Sequence, residues 1–175
     1  MPNDMICGDE WISLHKNERN ICYVKMSDAA LVIPLTPQQE VLFITEPTPA
    51  YGGTVLCLPG GGIESKEQAS SAGNRELQEE IGFRAGRMDY LGELYPMVKY
   101  VQCRQHIYLG RSLRRSKLQG DEGADWPITV ERIPLAQCEE LIASGRLRDS
   151  SVIAALFLAR SFLAREQSAA PVRRR

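Results

Sequence analysis

The chain has 175 residues, 43% of them hydrophobic and 25% charged, with a formal net charge of −1. That length and composition suit a single globular domain with its own core. Near-neutrality argues against nonspecific nucleic-acid binding, and no stretch approaches the ~20 apolar residues of a membrane helix. Five scattered cysteines without a CxxC pair (Cys7, Cys22, Cys57, Cys103, Cys138), and only His15 and His106, argue against a disulfide framework or a zinc site. With no signal-peptide-like start, the expectation is a cytoplasmic protein with reduced thiols, interacting with neither nucleic acid nor membrane.

In chain order, residues 11–14 alternate weakly and read as a candidate edge strand, with a turn over 17–20. Residues 21–25 form a strand, 30–35 are a continuous apolar run of buried-strand length, and 41–44 are a second such run. The Thr36-Pro37-Gln38-Gln39 turn between them predicts a central hairpin. Residues 46–53 carry two prolines and two glycines and read as a loop. Residues 54–58 form a short strand ending in Pro59-Gly60-Gly61-Gly62. Three glycines in a row, Gly60, Gly61 and Gly62, are a tight turn or a place where backbone meets a ligand.

Residues 61–83 read GGIESKEQASSAGNRELQEEIGF. Ser65 with Gln68 three residues on is a capping-box pattern, predicting a helix from Ser65 or Lys66, and Gly82 is its natural stop. Glu76, Glu79 and Glu80 stand at i, i+3 and i+4, so three carboxylates share one face, while Leu77 and Ile81 pack beside them. Like charges gathered near a helix C-terminus repel one another and oppose the dipole, and a cation would relieve both. An all-oxygen set suits Mg²⁺ or Mn²⁺ better than zinc. Arg75 and Glu67, eight residues apart, are expected two turns apart on one side of this helix.

Beyond it, residues 88–95, 104–109 and 128–133 read as strands. Residues 111–127 are polar, basic and then acidic, and a loop of that length is usually functional or disordered. It is expected to be mobile when empty and ordered over a bound ligand. Residues 134–144 form a helix stopped by Gly145, and residues 149–166 form an amphipathic one. The domain is expected to span 1–175, with a core at about 20–166 and a tail from 167.

The spacing Gly61-x5-Glu67-x7-Arg75-Glu76-Leu77-x-Glu79-Glu80-x-Gly82-Phe83 resembles the Nudix box, with every defining position filled. The resemblance implies an α/β/α sandwich of the α+β kind, with a mixed sheet and the box helix on one face. It implies a Mg²⁺-dependent hydrolase, with Mn²⁺ a possible substitute, acting on a nucleoside diphosphate linked to another group. Glu76 and Glu80 would be the primary metal ligands, joined by Glu79 and the Gly60 carbonyl, with Arg75 and Glu67 orienting them. The general base would be Glu122 (Asp121 next, Asp125 a poorer match) or else Glu79.

Residues 118–122 and 150–156 are similar to the ADP-ribose and ADP-compound pyrophosphatase branch. That implies a homodimer releasing AMP from ADP-ribose, NADH or diadenosine polyphosphates. Arg104 could reach the phosphates, Gly61 and Gly62 could lie against the ligand, and Tyr51, Tyr95 or Tyr100 could stack on adenine. A nucleoside-triphosphate pyrophosphatase and a noncatalytic nucleotide-sensing module are the alternatives.

Overall fold

The computed structural model describes residues 4–118 and 127–169. Eleven strands are described: β1 (Asp4–Gly8), β2 (Ile12–Lys16), β3 (Cys22–Met26), β4 (Ala29–Pro34), β5 (Glu40–Pro47), β6 (Thr54–Cys57), β7 (Gly60–Gly62), β8 (Phe83–Leu94), β9 (Val101–Gln102), β10 (Gln105–Arg115) and β11 (Thr129–Pro134). The helices are α1 (Ala69–Ile81), α2 (Cys138–Ala143) and α3 (Ser150–Ala169). The central sheet runs β7-β4-β10-β8 and is mixed, because β4 and β10 are parallel while both outer pairs are antiparallel. Beside it lie the antiparallel β11-β5-β6 sheet and the N-terminal β1-β2-β3-β9 sheet.

Helices cover both faces of the central sheet. A Cβ added at Gly110 would meet Leu77 of α1 at 3.7 Å. The next residue, Arg111, points to the other face and reaches Glu166 of α3 at 2.7 Å. Alternation along one strand therefore defines an α/β/α sandwich. Its core is apolar on both sides of the sheet, with Val32, Ile33, Phe43, Ile107 and Leu109 fully buried alongside Leu77, Val152 and Ala155 of the helices.

Several expectations need correcting. The two apolar runs do not form a central hairpin. The chain does turn over 36–39, where the Thr36 N–H bonds the Glu40 carbonyl, but the Leu35 N–H still bonds Gly110 of β10 rather than β5. Beyond one bridge, Leu35–Val41, β4 and β5 diverge into different sheets. Long-range pairing with β10 and β11 wins over the local turn.

The box helix starts at Ala69 rather than near Ser65, and Gln68 caps it without a side-chain bond. Lys66 is left-handed at φ 68° and cannot continue a helix. Glu67 is thus in the preceding turn, where its N–H bonds the Glu64 carbonyl. The glycine turn is the strand β7. The C-terminal end of α1 is as expected, with Gly82 at φ 68° and its N–H on the Leu77 carbonyl.

Two other segments also differ. The strand expected from residue 88 begins at Phe83, and residues 111–115 are not loop but the far end of β10, paired with β8. The helix expected from Pro134 is a 3₁₀ turn over Leu135–Gln137 followed by the shorter α2. α3 begins where expected, with Asp149 accepting from the Val152 N–H at 2.9 Å.

Candidate active site

The site is built where β7 passes under α1. The Val32 N–H bonds the Pro59 carbonyl, which leaves Leu31 and Gly60 as a non-hydrogen-bonded pair. The Gly60 backbone groups therefore turn away from β4. Its N–H donates to Glu80 Oε2 at 3.0 Å. At Gly61 the helix comes so close that a Cβ there would lie 2.4 Å from Glu76 Oε1. Only glycine admits Glu76 to this position, so Gly61→Ala is expected to push the Glu76 carboxylate aside. Turnover should fall by roughly 10²-fold, the scale for misplacing a catalytic group by about 1 Å. The melting temperature should change little, because Glu76 is a side-chain end that can swing away; a mutant with near-wild-type turnover would show that Glu76 placement is unimportant.

Arg75 ties the carboxylates together. Its guanidinium donates to Glu76 Oε1 at 2.8 Å, to Glu79 Oε2 at 2.9 Å and to both Glu67 oxygens at 3.2 Å. It also donates to the Gly62 carbonyl at 2.8 Å. One side chain thereby links the loop, the glycine strand and the helix. This goes beyond a surface ion pair, since five hydrogen bonds meet on one partly buried fork. Glu67 does its part from the turn rather than from the helix. Burial raises its pKa, but the Arg75 hydrogen bond and the Glu64 N–H outweigh that and leave it lowered.

The remaining electrostatics show a deficit of positive charge. Arg75 pairs with Glu76, Glu79 and Glu67 but not with Glu80. Burial, followed by the Glu76 charge and, less strongly, Glu46 and Glu79, pushes Glu80 up to about 8 against the Gly60 N–H that favours its anion. Glu76 is raised by burial as well, with Arg75 opposing. These donors fit a divalent cation. Glu80, Glu76, Glu79 and the free Gly60 carbonyl are hard oxygen ligands that could hold one, and its charge would offset the repulsion. Among the described residues no three such side chains stand grouped as a ready-made cage, and Arg75 holds two of the glutamates.

Other expected residues lie elsewhere. Arg104 is in a separate exposed pair, with its Nε at 3.0 Å from Asp28 Oδ2. Glu122, Asp121 and Asp125 lie outside the described residues. Arg111, at the basic end of the expected loop, is clasped by Asp89 and Glu166 and stacked on Phe162. Tyr51, Tyr95 and Tyr100 are exposed.

Two residues were missed by the sequence reading. Glu46, at the end of β5, contributes to the field on Glu80 and accepts from the Cys57 thiol at 3.1 Å. Trp11 packs on Gly62, where a Cβ would come within 2.6 Å of its ring. Neither partnership is local in sequence, so no motif signals it.

Comparison with known proteins agrees with this geometry. Residues 25–155 match the NUDIX domain, and the chain belongs to the Nudix hydrolase family. It is similar to the ADP compounds hydrolase NudE of Escherichia coli K12, with 29% identity over 136 residues covering 78% of this chain and 72% of that protein. It is also 30% identical over 114 residues to a putative 8-oxo-dGTP diphosphatase of Bacillus subtilis 168, covering 62% of this chain and 70% of the other. A crystal structure of an ADP compounds hydrolase superposes with a TM-score of 0.77 at 23% identity, covering 95% of this chain and 94% of that one, and so shares its fold.

Proposed function

We propose that this protein is a Mg²⁺-dependent pyrophosphatase of ADP-linked compounds, with Mn²⁺ able to substitute. ADP-ribose, NADH and diadenosine polyphosphates are its substrate class, and AMP plus a phosphorylated remainder are the products. The observation that carries this reading is the cluster of Glu76, Glu79 and Glu80 against Gly60 and Gly61, held by Arg75. The resemblance to NudE supplies the substrate class.

Glu76, Glu79, Glu80 and the Gly60 carbonyl would hold the cation, whose charge offsets that of the diphosphate oxygens. Arg75 and Glu67 keep the glutamates in position, as outer partners of ligands do elsewhere. A carboxylate, Glu122 or else Glu79, takes a proton from the attacking water. The water oxygen bonds to one phosphorus, and the bridging oxygen leaves with the other phosphate. Arg104 could exchange Asp28 for a substrate phosphate, with Gly61 and Gly62 presenting bare backbone to the ligand.

The test is Mg²⁺-dependent turnover of a panel of ADP-ribose, NADH, diadenosine triphosphate, sugar nucleotides and dNTPs. AMP from the ADP compounds is expected. Pyrophosphate released from dNTPs instead would favour a nucleoside-triphosphate pyrophosphatase, the reading to which the 8-oxo-dGTP diphosphatase relative points. A noncatalytic nucleotide-sensing module would show no turnover, and the complete box weighs against it.

We further take residues 1–175 as one domain, working in the cytoplasm with neither nucleic acid nor membrane as partner. The scattered cysteines without a CxxC pair and the charge of −1 support this. No described helix is long and apolar enough to cross a membrane. Homodimerisation is also expected, because Met5, Ile6, Ile12 and Ile21 of the N-terminal region, with Met97 and Val98 nearby, leave apolar surface exposed. Sedimentation at high micromolar concentration should give twice the mass of one chain; a monomer there would remove the proposal.

A further inference from the structure

The ladder between β8 and β10 sets arginine directly against arginine twice: Arg87 opposite Arg111, and, farther along, Arg84 opposite Arg114. Residues facing each other across antiparallel strands hold their Cβ atoms about 4.5–5.5 Å apart, so like charges there repel. At the first pair the fold neutralises that repulsion. Asp89 and Glu166 each reach both arginines, with Arg87 Nε at 2.7 Å from Asp89 and Arg111 Nη1 at 2.7 Å from Glu166. At the second pair no such carboxylates stand by. Among the described residues neither Arg84 nor Arg114 has a hydrogen-bond or ion-pair partner, and both are exposed.

The open pair also walls a recess. About 380 Å³ of space is lined by Arg84, Ala85, Gly86, Arg114, Arg115 and Ser116, within the range of small-molecule pockets, which begins near ~300 Å³. The Arg115 guanidinium lies 5.8 Å from the centre of the Phe83 ring, which restrains its charge without using its N–H groups. Ser116 is pinned beside it, its N–H on the Gly82 carbonyl and its Oγ donating to Gln78 at 2.9 Å. The frame is therefore fixed while the donors of three arginines stay open. Each guanidinium presents a planar fork of N–H groups that matches two oxygens of a phosphate. A phosphate monoester carries nearly two negative charges, matching the two positive charges of the facing pair. A chain of net charge −1 suits one such group rather than a polyanion.

We infer that Arg84 and Arg114, with Arg115 beside them, bind a phosphate group, free or on a small molecule, outside the glutamate cluster. The bound anion does for this pair what Asp89 and Glu166 do for Arg87 and Arg111. The inference stands apart from the pyrophosphatase reading, since the binding requires neither a metal nor turnover.

The experiment is calorimetric titration of the full chain with inorganic phosphate and with ribose 5-phosphate, at constant ionic strength, with EDTA present so that no metal draws phosphate to Glu80. Melting temperatures in the same buffers give a second readout. Wild type should bind in a saturable way. Arg84→Gln and Arg114→Gln should each weaken binding by roughly tenfold, the scale of losing one charge-assisted hydrogen-bond partner. Arg132→Gln, which removes the same charge from β11, and Glu80→Gln should leave it unchanged. Phosphate should raise the melting temperature of wild type but not that of the Arg84 and Arg114 variants. Without phosphate those two variants should melt no lower than wild type, because the repulsion is relieved. Tighter binding of ribose 5-phosphate than of phosphate would identify a monoester as the ligand, and equal affinities free phosphate; both support the site. No saturable binding to wild type, binding undiminished in the Arg84 and Arg114 variants, or an equal loss in Arg132→Gln would each overturn it. Binding that appears only when Asp121 and Asp125 are changed to asparagine would assign the arginines to the chain's own carboxylates and overturn it too.

Discussion

Glu80→Gln is expected to remove nearly all activity, by roughly 10³-fold, the upper scale for deleting one preorganised electrostatic contributor. The amide keeps the shape of the side chain and loses the charge. It should not unfold the protein, and the pH dependence of stability gives an independent readout. The Glu80 carboxyl sits at about 8 in the metal-free fold against an ordinary 4.5. Between these values the folded state holds a proton that the unfolded state releases, so the stabilisation is complete below about 4.5 and is lost as pH rises through about 8. The melting temperature of the metal-free wild type should therefore fall across that interval, and Glu80→Gln should flatten the fall. Mg²⁺ should reverse it in wild type by binding the anion. Near-wild-type turnover at saturating Mg²⁺, or an unchanged pH slope in the mutant, would remove Glu80 from the role assigned to it.

The second large effect concerns the general base. Glu122→Gln should lower the turnover rate by roughly 10²-fold or more, the scale for losing a general base, while changing KM little. Asp121→Asn should do much less. Single-turnover rates at saturating metal separate this from a binding defect. If both variants stay within a few-fold of wild type, Glu79 is the base. Glu79 is bonded to Arg75 at 2.9 Å, so it would have to exchange that partner before accepting a proton.

The box was legible in the sequence because its logic is local. Helical spacing places Glu76, Glu79 and Glu80 together, and Gly82 ends the helix wherever the rest of the chain goes. What sequence missed depends on distant partners. Glu67 looked helical by its spacing from Arg75, yet a left-handed Lys66 just before it leaves it in the loop ahead of α1, and the Arg75 guanidinium bridges the gap. β4 and β5 looked like a hairpin because apolar runs around a turn carry no mark of the strands that claim them later. Arg111 read as loop because a basic residue amid polar ones resembles solvent-facing chain; Asp89 and Glu166, which neutralise it, lie far away in sequence. Trp11 gave no signal at all, since its partner is a glycine.

The outermost strand of the central sheet, β8, runs for twelve residues and has no strand beside it on its far edge among the described residues. Such a ribbon is a template on which another chain could zip up, the first step of fibril growth. Here Arg84, Arg87, Asp89 and Glu93 punctuate it with charge, and the Arg87–Asp89–Glu166 contacts draw the last turns of α3 against it. The same ion pairs that fix a helix thus also set charge along an edge open to strand addition. Replacing Arg84 and Arg87 with valine should leave catalysis intact and lower the concentration at which light scattering appears.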